Sequence, residues 1–202
     1  MEAKLGGRSH ERSFYNPSEL IPEDHIRAIF AKLRNQKARV AVKACFYLQL
    51  RRKEACALKW TSIDLDAGVF HGIRAKNGMS NTKTIPTDLL EELKKLPKED
   101  EVWTFVGQHG HISDAWLNTE FREACEQVGF TKTYATKSDG TKAHCYTLKG
   151  LRATGISRIC DAVGDKLFMA ADIVGHRNPK TTMVYYRAKE DEKKKAIERA
   201  FE

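Results

Sequence analysis

The sequence predicts an α+β domain, mainly helical, with one small three-stranded antiparallel sheet. Apolar residues recur at helical spacing along most of the chain. The first such set is Ile26, Ile29, Phe30 and Leu33. Two short β-prone stretches flank the polar residues 77–81 (NGMSN), which is typical of a β-hairpin. Residues 21–202 contain no internal repeat, low-complexity tract or second linker, so we expect one domain there.

The composition fits one globular domain with a polyanionic partner. The chain has 202 residues, 41% of them hydrophobic and 31% charged, and this length supports a core without disulfides or metal. Lys and Arg number 35 against 27 Asp and Glu, and the resulting net charge of +8 favours a polyanion. No apolar run approaches the roughly 18 residues of a membrane span, and the first residues lack the apolar segment of a signal peptide. We therefore expect no membrane partner.

The cysteines indicate a reducing compartment. There are five, an odd number, and no two are spaced C-x-x-C. They lie mostly in apolar, helix-like stretches, at Cys45, Cys56, Cys125, Cys145 and Cys160. We expect reduced, buried thiols in a cytoplasmic protein.

Capping residues and apolar periodicity place the helices in order. Pro22 suits a first helical position, Ser113 and Thr147 suit N-caps, and Gly129 and Gly175 suit helix ends. The predicted helices start after Pro22 and then span 40–50, 54–60, 87–96, 113–128, 147–160, 166–174, a short segment around 181, and 188–201. The helix over 40–50 should be central, because Lys43 and Gln49 are its main polar interruptions.

The remaining segments are predicted to form the sheet and irregular structure. Residues 69–75 and 82–85 form the hairpin, and residues 102–105 provide the third strand. Residues 131–145 read as a polar loop. Residues 1–20, which have little periodicity, are expected to be a flexible arm or residues left from cloning.

Four places collect cationic or nucleophilic groups within apolar sequence. Arg51 lies at the junction of two apolar helices, and Lys76 opens the hairpin tip. Lys149 and Arg152 share one face near a helix N-terminus, where backbone N–H groups favour phosphate. The fourth place is a tight turn together with the short segment after it, and it carries His176, Tyr185 and Tyr186. Taken singly, each place is more simply interpreted as solvated surface or as core packing.

The order of these groups resembles the catalytic domain of tyrosine recombinases, the phage-integrase family. The matching motifs are R-x-x-E at 51–54, a hairpin lysine, K-x-x-R at 149–152 and G-H at 175–176. A tyrosine follows the histidine by nine residues, since 185 − 176 = 9, and this spacing selects Tyr185 over Tyr186. The resemblance runs from about Pro22 to Arg187.

Three departures from the family pattern stand out. Lys149 occupies a position where histidine is commoner, which leaves its part in proton transfer open. The hairpin is about two residues longer than usual, so Lys83 rivals Lys76; Lys76 is preferred because it ends the first strand. The family normally has a helical core-binding domain before the catalytic one. The expectation is that 21–202 is the catalytic domain, with 188–202 as a tail helix, of either an excised domain or a minimal member.

The resemblance implies a site-specific recombinase or integrase that cleaves and rejoins DNA strands through a 3′-phosphotyrosine intermediate. Tyr185 would be the nucleophile, and Lys76 the general acid for the leaving 5′-oxygen. Arg51 and Arg152 would clamp the non-bridging phosphate oxygens, and His176 would add another donor.

Deprotonation of the nucleophile needs help, because an unperturbed phenol has a pKa of about 10. Lys149 or His176 would assist there. Positive side chains take the place of metal ions in this scheme, so we expect no metal and no cofactor. The pair His109 and His111 lacks a third ligand nearby in sequence and is expected in a polar loop.

The implied partners are double-stranded DNA and further copies of the chain, as a dimer or tetramer on DNA. The expected location is the nucleoid, or the host cytoplasm for a phage- or virus-encoded protein. Two alternatives remain open. A type IB topoisomerase uses the same tyrosine chemistry to relax DNA, and a non-catalytic DNA-binding module would use the basic surface for phosphate contacts alone.

Overall fold

The computed structural model describes residues 20–72, 82–130, 135–136, 142–143, 146–176, 178–186, 197–198 and 200. Within them the fold is mainly helical with small antiparallel sheets, as predicted. The helices are α1 Glu23–Lys32, α2 Gln36–Tyr47, α3 Arg52–Cys56, α4 Thr87–Lys94, α5 Asp114–Gln127, α6 Leu148–Val163, α7 Leu167–Val174 and α8 Lys180–Met183. The strands are β1 Ile63–Asp64, β2 Val69–His71, β3 Thr82–Thr84, β4 Val106–Gly107, β5 Gly110–His111, β6 Ala135–Thr136 and β7 Lys142–Ala143.

The predicted caps explain where several helices begin and end. Ser113 accepts a hydrogen bond from the backbone N–H of Trp116, and Thr147 accepts one from Gly150. Gly175 ends α7 at φ 81°, a left-handed conformation that glycine adopts without strain. The caps at Thr147 and Gly175 thus fix the start of α6 and the end of α7, the two helix ends next to the candidate site.

Helix α2 is the centre of the core, as its apolar sequence predicts. It packs against α4, α5 and α6, and nearly every side chain from Ala38 to Phe46 is buried. Gly155 of α6 allows a very close approach to α2, because a Cβ at that position would lie 2.3 Å from the carbonyl oxygen of Phe46. The helix that precedes Arg51 and the helix that carries Arg152 are therefore held together tightly.

The three-stranded sheet has a different third strand from the predicted one. Its order is β1-β2-β3, so the third strand is β1 and not residues 102–105. In residues 102–105, Trp103 instead makes an isolated bridge with Lys59, and Phe105 is fully buried. A short apolar run satisfies a buried loop as well as a strand, which is why periodicity alone misplaced it.

Three further predictions need correction. The helix expected over 54–60 ends at Cys56, and a 3₁₀ turn covers Trp60–Ser62. The segment with His109 and His111 is the tight β4–β5 hairpin rather than a loop. In the segment expected to be a polar loop, β6 and β7 form a two-stranded ribbon.

Other predictions are only partly covered by the described residues. Cys45, Cys56, Cys125 and Cys160 are buried and form no disulfide within the described residues, and Cys145 lies outside them. The expected arm over 1–20 lies almost wholly outside them, as does most of the tail helix over 188–201. Within the described part of the chain, no helix combines the length and apolar character needed to cross a bilayer.

Candidate active site

The first part of the site is the turn between α2 and α3. Arg51 is the N-cap of α3, and its side chain is two-thirds exposed. The carboxylate of Glu54 accepts from the Arg51 backbone N–H at 2.7 Å and from its guanidinium at 2.7 Å. Glu54 therefore orients Arg51 while leaving most of the guanidinium accessible, which explains the R-x-x-E spacing.

Gln49, two residues earlier, has an unusual backbone conformation. Its φ of 51° is left-handed, which is rare for a residue with a Cβ. Its side-chain amide donates to the carbonyl oxygens of Phe46 and Tyr47, at 3.2 and 2.6 Å. Its own carbonyl oxygen accepts a 2.6 Å hydrogen bond from Nε of Arg152. The strained turn thus places Arg152 next to Arg51.

The second part of the site is the N-terminal turn of α6. Lys149 is exposed there, while Arg152 is partly buried against the Gln49 turn. Burial and the nearby Arg51 lower the pKa of Arg152, which nonetheless stays protonated at neutral pH. Within the described residues Arg152 bonds the protein through Nε, so its two terminal nitrogens can bind an anion.

The third part is the turn after α7. His176 follows Gly175, and its Nδ1 lies 2.9 Å from the hydroxyl of the fully buried Thr182. Burial, Arg152, Arg51 and Lys83 together lower the pKa of His176 to about 4. The imidazole is consequently neutral at pH 7, and Thr182 fixes the orientation of its ring.

The two adjacent tyrosines follow α8 and point to different places. The ring of Tyr185 stacks on His176, with centroids 6.3 Å apart and planes at 25°, and Tyr185 lies near the Arg152 guanidinium. The Tyr186 hydroxyl is buried and makes no hydrogen bond within the described residues. Burial, then Cys160 and Asp165, raise the pKa of Tyr186. Tyr185 is therefore the tyrosine beside the cationic cluster.

Of the two candidate hairpin lysines, the described residues include Lys83 but not Lys76. Lys76 lies outside the described residues, so its position is a matter for proposal. Lys83 lies on the core face of β3, opposite Phe70, and its Nζ reaches the site. It donates to the Leu48 carbonyl at 2.8 Å, the Gln49 Oε1 at 3.1 Å and the Val174 carbonyl at 3.2 Å.

The fold thus brings together most of the residues that the sequence singled out. Arg51, Arg152, His176 and Tyr185 form one cluster, and Lys149 lies on the exposed side of the same α6 turn. The sequence reasoning did not identify the parts that Gln49 and Thr182 play. Gln49 did leave a signal, as a polar residue inside an otherwise apolar stretch. No signal pointed to the contact between Thr182 and His176.

In the histidine pair outside this cluster, His111 has structural contacts. His111 lies against Trp103, with ring centroids 4.9 Å apart, and its Nδ1 is 2.8 Å from the Ile112 carbonyl oxygen. Across the described ranges, no group of three or more His, Cys, Asp or Glu side chains is arranged to hold a metal ion.

Comparison with known proteins shows the family of the chain. The model of the phage integrase family matches residues 19–192, nearly the whole chain. The chain belongs to the phage integrase family. A curated relative of this family, a tyrosine recombinase from Thermosipho africanus (strain TCF52B), is 20% identical over 195 residues. That alignment covers 94% of this chain and 64% of the relative.

Solved structures of the integrase fold superpose on the chain. XerA recombinase gives a TM-score of 0.66 at 17% identity, covering 90% of this chain and 63% of its own. XerH recombinase bound to difH substrate gives a TM-score of 0.67 at 15% identity, and the match covers 89% of this chain and 53% of XerH. The Tn1549 transposon integrase in complex with transposon right end DNA gives a TM-score of 0.66 at 17% identity, and the match covers 92% of this chain and 67% of that integrase. The chain thus spans a little under two thirds of the length of the curated relative and of XerA.

Proposed function

We propose that this chain is the catalytic part of a site-specific DNA recombinase or integrase that works through a 3′-phosphotyrosine intermediate. The observation that carries the proposal is the placement of the Tyr185 phenol beside a neutral imidazole and two guanidiniums. A phenol that attacks phosphorus stores the energy of the broken phosphodiester in its own ester bond. The free 5′-hydroxyl of a DNA strand later attacks that ester and restores the phosphodiester.

Arg51 and Arg152 act as the phosphate clamp. Negative charge on the non-bridging oxygens grows as the phenol attacks, and guanidiniums stabilise it with paired N–H donors. Glu54 and the Gln49 carbonyl orient the two arginines before the substrate binds. Such preorganisation spares the reaction the cost of turning the side chains into place.

His176 acts as a neutral hydrogen-bonding group. Thr182 engages Nδ1, which leaves Nε2 to contact the scissile phosphate or the attacking oxygen. A neutral imidazole can also accept the phenol proton, a role that an imidazolium could not fill. Lys149 is exposed beside the same helix end and assists as an accessory cation.

Lys76 is the proposed general acid for the leaving 5′-oxygen. The occupied donors of Lys83 support this choice, because its three hydrogen bonds go to acceptors within the protein. An ammonium that holds three internal acceptors is poorly placed to give a proton to a leaving group. The family resemblance assigns the general acid to a hairpin lysine, and Lys76 opens the predicted hairpin tip.

The proposed partner is double-stranded DNA, with a dimer or tetramer of the chain assembled on it. The net charge of +8 supports phosphate binding, and the superposed Tn1549 and XerH structures are complexes with DNA. We place the protein in the cytoplasm, on the nucleoid or host DNA. Residues 188–202 form the proposed tail helix of the catalytic domain.

The test is covalent trapping on a nicked duplex whose short cleaved fragment diffuses away. The expected result is a protein–DNA adduct that survives denaturation and is sensitive to protease. Binding without an adduct would reduce the chain to a DNA-binding module. A second assay, with two intact duplexes and a supercoiled circle, separates strand transfer from relaxation. Relaxation alone would indicate a topoisomerase instead of a recombinase.

A further inference from the structure

Lys83 has a chemical environment that its place in a short edge strand does not require. Its neighbours Thr82 and Thr84 are exposed, while Lys83 faces inward with Ile85, as strand alternation demands. Within the described chain, its three hydrogen-bond acceptors are two backbone carbonyls and one amide oxygen, all uncharged. A partly buried ammonium without a carboxylate to bind is costly, so its retention needs a reason.

The charges around Lys83 make that cost larger. Burial and the nearby Arg152 lower the pKa of Lys83 to about 8, and the pull of Glu54 in the opposite direction is smaller. The positive charge of Lys83 also lowers the pKa of His176. If this side chain served only for packing, a methionine or leucine would fill the space without the cost of burying a charge.

The three acceptors belong to segments that carry the phosphate clamp. The Leu48 carbonyl and the Gln49 side chain lie in the strained turn that binds Arg152 and leads into Arg51. The Val174 carbonyl lies at the end of α7, two residues before His176. One ammonium therefore ties the sheet to both turns of the site.

We propose that Lys83 is a positioning residue that holds the Gln49 turn and the end of α7 in register, so that Arg51, Arg152 and His176 converge on one phosphate. The proposal rests on the proposed recombinase function and assigns Lys83 no contact with DNA. Its hydrogen bonds fix Gln49 in the left-handed conformation that aims a carbonyl at Arg152. Without the ammonium, that turn is free to relax to an ordinary backbone conformation.

The test compares Lys83→Met with Lys43→Met as a matched control. Both variants replace a lysine shielded from solvent by an uncharged side chain of similar length. Lys43, however, binds Asp88 and Glu92 between α2 and α4, outside the site. Three quantities are measured for each protein: the melting temperature, the Kd for a nicked duplex, and the rate of adduct formation at saturating protein.

Lys83→Met should slow adduct formation at saturation by roughly 10- to 100-fold, because small misplacements of reacting groups cost about that much. Its Kd should change by no more than about threefold, since the phosphate-binding surface is retained. Lys43→Met should lower the melting temperature while leaving the saturating rate within about twofold of wild type. This division of rate from binding would not follow from a general loss of stability.

A second variant covers the case in which Lys83→Met fails to fold. Gln49→Asn keeps a residue that tolerates a positive φ but shortens the amide, so that it no longer meets Lys83. Its saturating rate should fall in the same way. A rate within about twofold of wild type in either variant, or an equal loss of rate in Lys43→Met, would overturn the proposal. Failure of the wild-type chain to form any adduct would instead overturn the recombinase function itself.

Discussion

Lys43 and Lys83 are both shielded from solvent, yet their surroundings differ in kind. Lys43 donates to Asp88 at 2.8 Å and to Glu92 at 2.6 Å, so two carboxylates balance its charge. Burial raises the pKa of Asp88, but hydrogen bonds from Lys43 and Tyr47 outweigh this and lower it. Lys83 meets uncharged oxygens and a neighbouring guanidinium instead.

The difference separates scaffold from site. Around Lys43, opposite charges pair within the folded chain and join α2 to α4. Around Lys83, cations crowd together and Gln49 adopts a left-handed conformation. Unbalanced positive charge is costly in the free protein but is neutralised when a phosphate enters. Substitutions in the two regions should therefore separate chemistry from stability.

The largest expected effect is loss of the nucleophile. Tyr185→Phe removes only a hydroxyl beside His176, so the adduct should disappear while folding and DNA binding persist. Tyr186→Phe removes a buried hydroxyl on the packing side, so the adduct should still form. Trapping on a nicked duplex, followed by mass spectrometry of the modified peptide, locates the linkage. Phosphotyrosine at 186 would show that the site is misassigned.

The next largest effect is expected from the clamp. Arg152→Gln keeps a hydrogen-bonding side chain but removes the charge and the paired donors, so the adduct rate should fall by roughly 10²- to 10³-fold. The melting temperature should change little or rise, because a cation crowded by Arg51 is removed. Single-turnover cleavage and thermal denaturation measure the two effects. A retained rate would place Arg152 in the scaffold with Lys43.

Gly155 tests the connection between the two regions. A Cβ there would press on the Phe46 carbonyl and push α6 away from α2, at a cost of about 1–3 kcal/mol in unfolding free energy. Since Arg152 lies on α6 and binds the Gln49 turn, Gly155→Ala should also slow adduct formation by about tenfold. Chemical denaturation and single-turnover cleavage test both effects. Loss of stability with an unchanged rate would show that the two regions are independent.

The sequence predicted the scaffold better than the finer parts of the site. Long amphipathic helices and their caps follow from local chemistry, so α1, α2, α5 and α6 lie close to where they were expected. The third strand was misplaced because two residues of β1 carry too little periodicity to be recognised. Short strands depend on the partners that tertiary structure supplies.

Within the site, the order of the motifs identified the residues. The contacts of those residues depend on tertiary structure and could not be read from the motifs. Strand alternation in 82–85 already places Lys83 on the same face as Ile85, which could have indicated an inward lysine. The left-handed conformation of Gln49 could not be predicted, because a glutamine in a sequence does not indicate a positive φ. The proximity of Thr182 to His176 depends on how the turn after α7 folds back, which no local pattern encodes.

Replacing Lys43 should change the rate of adduct formation less than the substitutions above, and it should act mainly on stability. Lys43→Met leaves Asp88 without its cation, while Glu92 keeps its ion pair with Arg39. The unfolding free energy should fall by about 1–3 kcal/mol, since Asp88 is half exposed. The part that Asp88 contributes is present above its unfolded pKa, near 3.8, and is lost as the pH falls through its lower folded value. Urea denaturation at neutral and acid pH tests this. An equal deficit at pH 7 and at about pH 2 would contradict the ion-pair account.

The smallest effect near neutral pH is expected for His176, because the charge of its imidazole should not change across the physiological range. Its pKa is lowered to about 4 in the folded chain, against 6.5 for an ordinary histidine, because burial and three cations oppose protonation. Between these values the unfolded chain binds more protons, so stability should rise as the pH increases from about 4 to 6.5 and then level off. NMR titration of the ring, with His176→Asn for assignment, measures the midpoint directly. A midpoint near 6.5 would mean that the cations do not converge on His176, and the contrast with the Lys43 region would disappear.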